Sequence, residues 1–147
     1  MIKKVLVAVD GSEHAEKALM YALDLAEKYS ASVTILNVFQ MPVYMYLGEP
    51  PTYPVMLNDF YKELKSGHEK MLTKALERAK EIKPNLEISI ILKEGRPADK
   101  IVETAEEGDF DLIVLGHRGL GKVKEFFLGS VSDRVADEAK CPVLIVK

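Results

Sequence analysis

The sequence predicts a doubly wound α/β domain, with five parallel strands in the order 3-2-1-4-5 and helices on both faces of the sheet. Short apolar runs alternate with segments of helical periodicity along the chain. Strands joined through helices pair in parallel by right-handed crossovers, and nearly continuous apolar strands indicate that both sheet faces are covered. Because 147 residues are typical of one domain, we expect residues 1–147 to form a single one.

The first three elements follow from local patterns. Residues 2–9 form the first predicted strand, because most of them are apolar, with Val the most frequent, and the run ends at Asp10. Ser12 is a favourable N-cap, and Ala and Leu residues then recur at helical spacing as far as the break at residues 29–31. The second strand is predicted over Ser32–Phe39.

The second half of the chain continues the alternation, with Pro97 in the first turn of its second helix and Gly108 at that helix's end. The predicted elements around it are a helix over 58–82, a strand over 86–92, a strand over 111–115, a helix over 130–140 and a strand over 142–146.

One irregular stretch, Met41–Leu57, contains four prolines and several Met and Tyr residues. It is longer than ordinary connections between strands and helices. Three interpretations remain open: a surface loop folded onto the domain, a mobile lid over a site, or a partner-binding surface.

Composition excludes several classes of function. A net charge of −3 supplies no broad basic field, so we expect no nucleic-acid partner. The lone Cys141 cannot form an intramolecular disulfide, and its spacing to the histidines does not resemble a zinc site, which favours a reducing cytoplasm. The apolar stretch at the amino terminus is too short for a signal peptide, and we expect no membrane association.

The residues between Gly116 and Ser130 are typical of a phosphate-binding loop. They read Gly, two residues, Gly, nine residues, Gly-Ser, directly after the fourth predicted strand and before the last helix. Glycines let a backbone approach a ligand closely, and a helix start offers N–H groups and a positive dipole end. With the strand order 3-2-1-4-5, Asp10 and Gly116 follow neighbouring strands and meet where the strand order reverses.

Two other phosphate motifs do not fit this loop. Val123 stands where the Walker A pattern has the Ser or Thr that holds magnesium. The dinucleotide fingerprint lacks its third glycine after Gly119 and Gly121, and the loop follows the fourth strand instead of the first.

The spacing that does fit resembles the universal stress protein family, specifically its ATP-binding branch. The resemblance spans essentially the whole chain. It rests on Gly116, Gly119, Gly129 and Ser130, on the first turn around Asp10, on Asn37 and Val38 in strand two, and on the ending Cys141–Val146.

The resemblance implies a set of nucleotide contacts. Asp10 corresponds to the acidic residue that contacts the ribose, and Val38 to the residue whose backbone meets adenine. The glycines, with Ser130 and Val131, would surround the ribose and phosphates, with Mg or Mn carried by the phosphates of ATP. The expected nucleotide-binding residues are Ala8, Val9, Asp10, Val38, Gly116, His117, Arg118, Gly119, Gly129, Ser130, Val131 and Ser132. Arg118 and Lys122 would add positive charge or point to solvent.

Each assignment has a structural alternative. Gly116 would only let a strand end tightly, Gly129 and Ser130 would only start a helix, and Asp10 would cap the first helix together with Ser12. His117 is interpreted as a polar loop residue. His14 and His68 are interpreted as solvated helix residues, and no histidine has an evident acid or nucleophile partner.

The expected function is an ATP-binding regulatory module that at most hydrolyses ATP slowly, because no catalytic base has an evident position. The alternatives are a true ATPase or nucleotidyl- or phosphoryl-transfer enzyme, and a nucleotide-independent interaction protein. The family resemblance also implies a homodimer through the final strand, Val143–Val146.

Overall fold

Five parallel strands form one sheet in the order β3-β2-β1-β4-β5, which confirms the predicted topology. The computed structural model describes residues 1–42, 54–117 and 129–147. Within these residues the elements are β1 (Lys4–Ala8), α1 (Glu13–Tyr29), β2 (Ser32–Phe39), α2 (Pro54–Ile82), β3 (Ile88–Glu94), α3 (Pro97–Glu107), β4 (Leu112–Gly116), α4 (Ser130–Glu138) and β5 (Val143–Val146).

The boundaries of α2 and β3 differ from the prediction. The α2 helix begins at Pro54, four residues before the expected start, so the irregular stretch predicted over Met41–Leu57 is wrong at its carboxyl end. Proline tolerates a first helical position, where its missing N–H would have no partner within the helix. The β3 strand begins and ends two residues later than predicted, and Glu94 still pairs with Phe39 of β2. Residues 43–53 lie outside the described residues.

Helices cover both faces of the sheet, as predicted from the apolar strands. On one face α1 and α2 pack on Val5 and Val7 of β1 and on Ile35 of β2, all fully buried. On the other face α3 and α4 pack on the alternate residues Leu6 and Leu36. Burying each such side chain contributes about 1.5–3 kcal/mol. The sheet is thereby covered by one hydrophobic core on each face.

The predicted caps are confirmed. The Ser12 hydroxyl accepts the Ala15 N–H at 3.1 Å and starts α1. Pro97 occupies the first turn of α3, and Gly108 ends that helix. The α1 helix ends at Ser30, which adopts a left-handed conformation with φ 54°.

At the amino edge of the sheet, Asp111 joins the starts of β1 and β4. Its carboxylate accepts the backbone N–H groups of Lys3 and Lys4 at 2.8 and 2.9 Å. Its own N–H donates to the Lys4 carbonyl at 2.9 Å. The two N–H bonds to the charged form lower the pKa of the Asp111 carboxyl from its ordinary value of 3.8.

We expect replacement of Asp111 by Asn to destabilise the protein in a pH-dependent way. Because folding lowers the pKa of Asp111, its ionised form adds stability above pH 3.8, and this contribution is lost as pH falls through the folded-state pKa. Urea unfolding at pH 7 and at a series of acidic pH values tests this. The difference in unfolding free energy between wild type and Asp111→Asn should shrink below about pH 4. A difference that stays constant or grows on acidification contradicts the prediction.

Candidate functional site

The carboxyl ends of β1 and β4 form the centre of the candidate site. These strands are direct neighbours, with Val5 opposite Leu112 and Val7 opposite Val114. Asp10 lies two residues beyond β1, and Gly116 is the last residue of β4. The order of the strands reverses at this pair, and the helices that follow β1 and β4, α1 and α4, pack on opposite faces of the sheet.

The turn after β1 fixes the Asp10 carboxylate. Its Oδ1 accepts the Ser12 N–H at 2.9 Å, so the alternative in which Asp10 helps to cap α1 holds. Gly11 between them has φ +84°, a conformation that L side chains rarely adopt. Asp10 is half-buried. A carboxylate accepts several hydrogen bonds, so one bond to Ser12 is compatible with a ligand contact.

Glycine is required at position 116 because the start of α1 lies against its backbone. A Cβ atom at this position would lie 2.7 Å from both the carbonyl carbon and the Cβ of His14. The His14 and His117 rings also meet there, with centroids 6.0 Å apart and a tilt of 52°. This contact supports the structural alternative for Gly116, since the helix start accounts for the glycine without a ligand.

His117 closes the base of the predicted phosphate loop. Its N–H donates to the Val146 carbonyl at 2.7 Å, which continues the hydrogen bonds between β4 and β5 past the end of β4. Its carbonyl accepts the Gly129 N–H at 2.9 Å and the Ser132 hydroxyl at 2.9 Å. The residue lies one position beyond β4, at the base of the loop, and is buried. The two ends of the predicted loop therefore meet at one carbonyl group.

The start of α4 presents backbone donors at this point. Gly129 is the N-cap with extended backbone, φ −60° and ψ 153°, and the first bond inside the helix runs from the Asp133 N–H to the Gly129 carbonyl. The N–H groups of residues 130–132 therefore precede the helical ladder. Ser130 is exposed, whereas the Ser132 hydroxyl is buried and also lies 3.0 Å from the Gly129 carbonyl. Val131 is half-buried against the α3–α4 core.

Two of the expected residues, Arg118 and Gly119, lie outside the described residues, as does Lys122. The base of the loop, at His117 and Gly129, is described.

The end of β2 lies beside the turn after β1. Ala8 pairs with Leu36, and the Val9 N–H donates to the Leu36 carbonyl at 2.9 Å. Backbone groups point to the same side at every second residue of a strand, so those of Val38 face the β1 side, beyond the last β1 pair. The Val38 side chain is half-buried and packs against the α3–α4 core.

Two residues at this edge, Asn37 and His68, have contacts that the sequence did not predict. The Asn37 side chain is 1% exposed and donates to the Val9 carbonyl at 2.6 Å. His68 of α2 lies 2.7 Å from the Asn37 side-chain oxygen, so the interpretation of His68 as a solvated residue is wrong. One signal was available: an amide inside an apolar strand needs a buried hydrogen-bond partner.

Two kinds of site are absent from the described part of the chain. No group of three or more His, Cys, Asp and Glu side chains is arranged to hold a metal ion there. None of the helices in those residues is both long and apolar enough to cross a membrane.

A family model matches this geometry over the whole chain: the Universal stress protein family model aligns with residues 1–147. The chain belongs to the universal stress protein family. A universal stress protein of Thermus aquaticus is 37% identical over 154 aligned positions, covering 100% of both chains. Universal stress protein YxiE of Bacillus subtilis is 37% identical over 149 aligned positions, again covering 100% of both.

Solved universal stress protein structures share the fold. The UspA structure from Lactobacillus plantarum superimposes with a TM-score of 0.84 at 23% identity and covers 99% of this chain and 97% of that chain. A universal stress protein in complex with cAMP matches with a TM-score of 0.71, 29% identity and coverage of 99% and 97%. A universal stress protein from Archaeoglobus fulgidus in complex with dAMP matches with a TM-score of 0.62, 27% identity and coverage of 100% and 98%.

We expect a Gly116→Ala substitution in this universal stress protein to lower the free energy of unfolding by about 1–3 kcal/mol, because the new methyl group overlaps the α1 backbone at His14. Gly67 in α2 is the matched control: a Cβ there meets nothing within 4 Å. Gly67→Ala should raise stability by about 0.5–1 kcal/mol through helix propensity. Urea unfolding of both variants measures the contrast, and equal effects at the two positions would contradict the close packing of Gly116.

Proposed function

We propose that this protein binds an adenine nucleotide, in the first instance ATP, and acts as a nucleotide-dependent regulatory module of the ATP-binding branch. One observation carries the proposal: the Asp10 carboxylate and the exposed start of α4 flank the point at which the strand order reverses. An acidic group suits ribose hydroxyls, and a helix start suits phosphates. Both lie at the edge where doubly wound sheets bind ligands.

The phosphate end of the ligand is assigned to the start of α4. The N–H groups of Ser130, Val131 and Ser132 precede the helical ladder, and the Ser130 side chain is exposed beside them. Gly129 is held in place by its bond to His117. The expected contributions of Gly116, Arg118 and Gly119 belong to the same proposal. Mg or Mn would travel with the phosphates, which supply the oxygen ligands that such ions prefer.

The nucleoside end is assigned to β1 and β2. Asp10 would accept hydrogen bonds from the ribose hydroxyls, with Ala8 and Val9 beneath the sugar. The Val38 backbone lies beyond the last β1 pair, with one donor and one acceptor facing the β1 side. Adenine carries a donor and an acceptor on neighbouring atoms of one edge, which matches such a pair.

Two relatives support an adenine nucleotide as the ligand class. The cAMP and dAMP complexes are structures of universal stress proteins with 29% and 27% identity to this chain. In the regulatory role, the bound nucleotide changes the surface that partners meet. The lone Cys141 favours a cytoplasmic site for this activity.

We expect nucleotide-stripped protein to bind ATP with Mg²⁺ in a calorimetric titration, and Asp10→Asn to weaken binding about tenfold, because a hydrogen bond to a charged acceptor contributes about 1.5–3 kcal/mol. The Asn oxygen still accepts the Ser12 N–H, so the turn is preserved. Asp24→Asn makes the same change at a carboxylate on α1 that is 74% exposed, and should leave affinity unchanged.

A nucleotide that lacks both ribose hydroxyls tests whether Asp10 contacts the ribose. Dideoxy-ATP should bind wild type more weakly than ATP does, whereas Asp10→Asn should bind the two nucleotides almost equally. No heat with ATP and Mg²⁺ removes the proposed function. Full affinity in Asp10→Asn removes the ribose contact.

A homodimer through β5 is the second part of the proposal. The Pro142 and Val146 carbonyls accept N–H groups of Ile113 and His117 at 3.0 and 2.7 Å, so even-numbered backbone groups of β5 face β4. The odd-numbered groups, including those of Ile145, therefore face the outer edge of the sheet. An exposed edge of this kind pairs readily with another chain.

We expect wild type to have twice the mass of one chain by light scattering at micromolar concentration, and Ile145→Pro to be monomeric. Proline removes the outward N–H of Ile145 without breaking a bond to β4. Ile145→Ala loses the same packing but keeps the N–H, and should remain dimeric. A folded Ile145→Pro dimer, or a wild-type monomer, contradicts pairing through β5.

A further inference from the structure

Asn37 stands at the centre of a hydrogen-bonded chain that joins three elements at the carboxyl edge. Its side-chain nitrogen donates to the Val9 carbonyl, 2.6 Å away, just beyond β1. Its side-chain oxygen lies 2.7 Å from Nδ1 of His68 on α2. The amide orientation follows from chemistry, because a carbonyl oxygen facing the Val9 carbonyl would place two acceptors in contact.

This orientation determines where His68 carries its proton. The Asn37 side-chain oxygen is only an acceptor, so Nδ1 of His68 has to be the donor. Neutral His68 is therefore the Nδ1–H tautomer, which is the less common form of a free imidazole. The ring is held in this position by Phe39, which is 3% exposed and stacks on it at 5.5 Å with a 30° tilt.

The Val9 carbonyl belongs to the peptide group that carries Asp10. On one side of Val9 its N–H is bonded to Leu36, and on the other its carbonyl is bonded to Asn37. The orientation of the Val9–Asp10 peptide therefore depends on the Asn37 amide. The amide in turn is held by His68, since the Asn37 side chain is attached to β2 through a rotatable bond.

We propose that His68 is a positioning residue for nucleotide binding, which acts through Asn37 to orient the Val9–Asp10 peptide. The proposal rests on the adenine nucleotide site described above. It concerns a residue that lies on α2, outside the turn, loop and strand end that would contact the ligand. Loss of the Nδ1–H donor leaves the buried Asn37 oxygen without its partner and allows the amide to rotate away from Val9.

Two variants separate the hydrogen bond from the ring. His68→Phe keeps an aromatic ring against Phe39 but removes the donor. His68→Asn loses the ring but places an amide N–H at the position of Nδ1. In calorimetric titrations with ATP and Mg²⁺, we expect His68→Phe to bind about tenfold more weakly than wild type and His68→Asn to stay within about threefold. Equal weakening in both variants, or none in His68→Phe, overturns the proposal.

The tautomer of His68 can be measured directly on the wild-type protein. A long-range ¹H–¹⁵N spectrum of wild type above pH 8 should show His68 protonated at Nδ1, and the Nε2–H tautomer would overturn the proposal.

The ATP titrations need a control for a general loss of stability. Leu23→Val, in α1 and fully buried, provides it and should bind ATP like wild type. If wild type itself does not bind ATP, the proposed function fails. If wild type binds and His68→Phe binds equally well, only the role of His68 fails.

Discussion

Parallel pairing between β1 and β4 is the constraint on which the rest of the structure depends. From this pair the sheet extends to β2 and β3 on one side and to β5 on the other. Every connection between parallel strands has to return to the amino edge, so the chain leaves β1 and β4 at the same carboxyl edge. Asp10 and Gly116 follow neighbouring strands for this topological reason, although 106 positions of sequence separate them.

Side chains that bond to backbone groups hold this edge in one arrangement. Asn37 satisfies the Val9 carbonyl, Asp10 satisfies the Ser12 N–H, and Ser132 satisfies the His117 carbonyl. These backbone groups lie beyond the regular ladders, where an unsatisfied buried group costs about 1–3 kcal/mol. Such bonds stabilise the fold, and for the proposed nucleotide they would organise the edge in advance and so reduce the ordering cost of binding.

Several residues of the family motif serve the fold as well as the proposed site. Gly116 admits the start of α1, and the Asp10 carboxylate caps the same turn through Ser12. Neither contact requires a nucleotide, so motif residues alone do not demonstrate one. At the start of α4 the Ser130 side chain is exposed, and the N–H groups of residues 130–132 precede the helical ladder, which is the arrangement that suits an anion.

The sequence by itself determined the alternation of strands and helices, the cover on both sheet faces and the caps at Ser12 and Gly108, because these follow from local apolar periodicity and backbone preference. It also brought Asp10 and Gly116 to one edge. Only the tertiary structure decided that His117 is buried, that His14 forces a glycine at position 116, and that His68 reaches Asn37. These are contacts between side chains distant in sequence, and their partners depend on how α1 and α2 pack on the sheet, which no local pattern encodes.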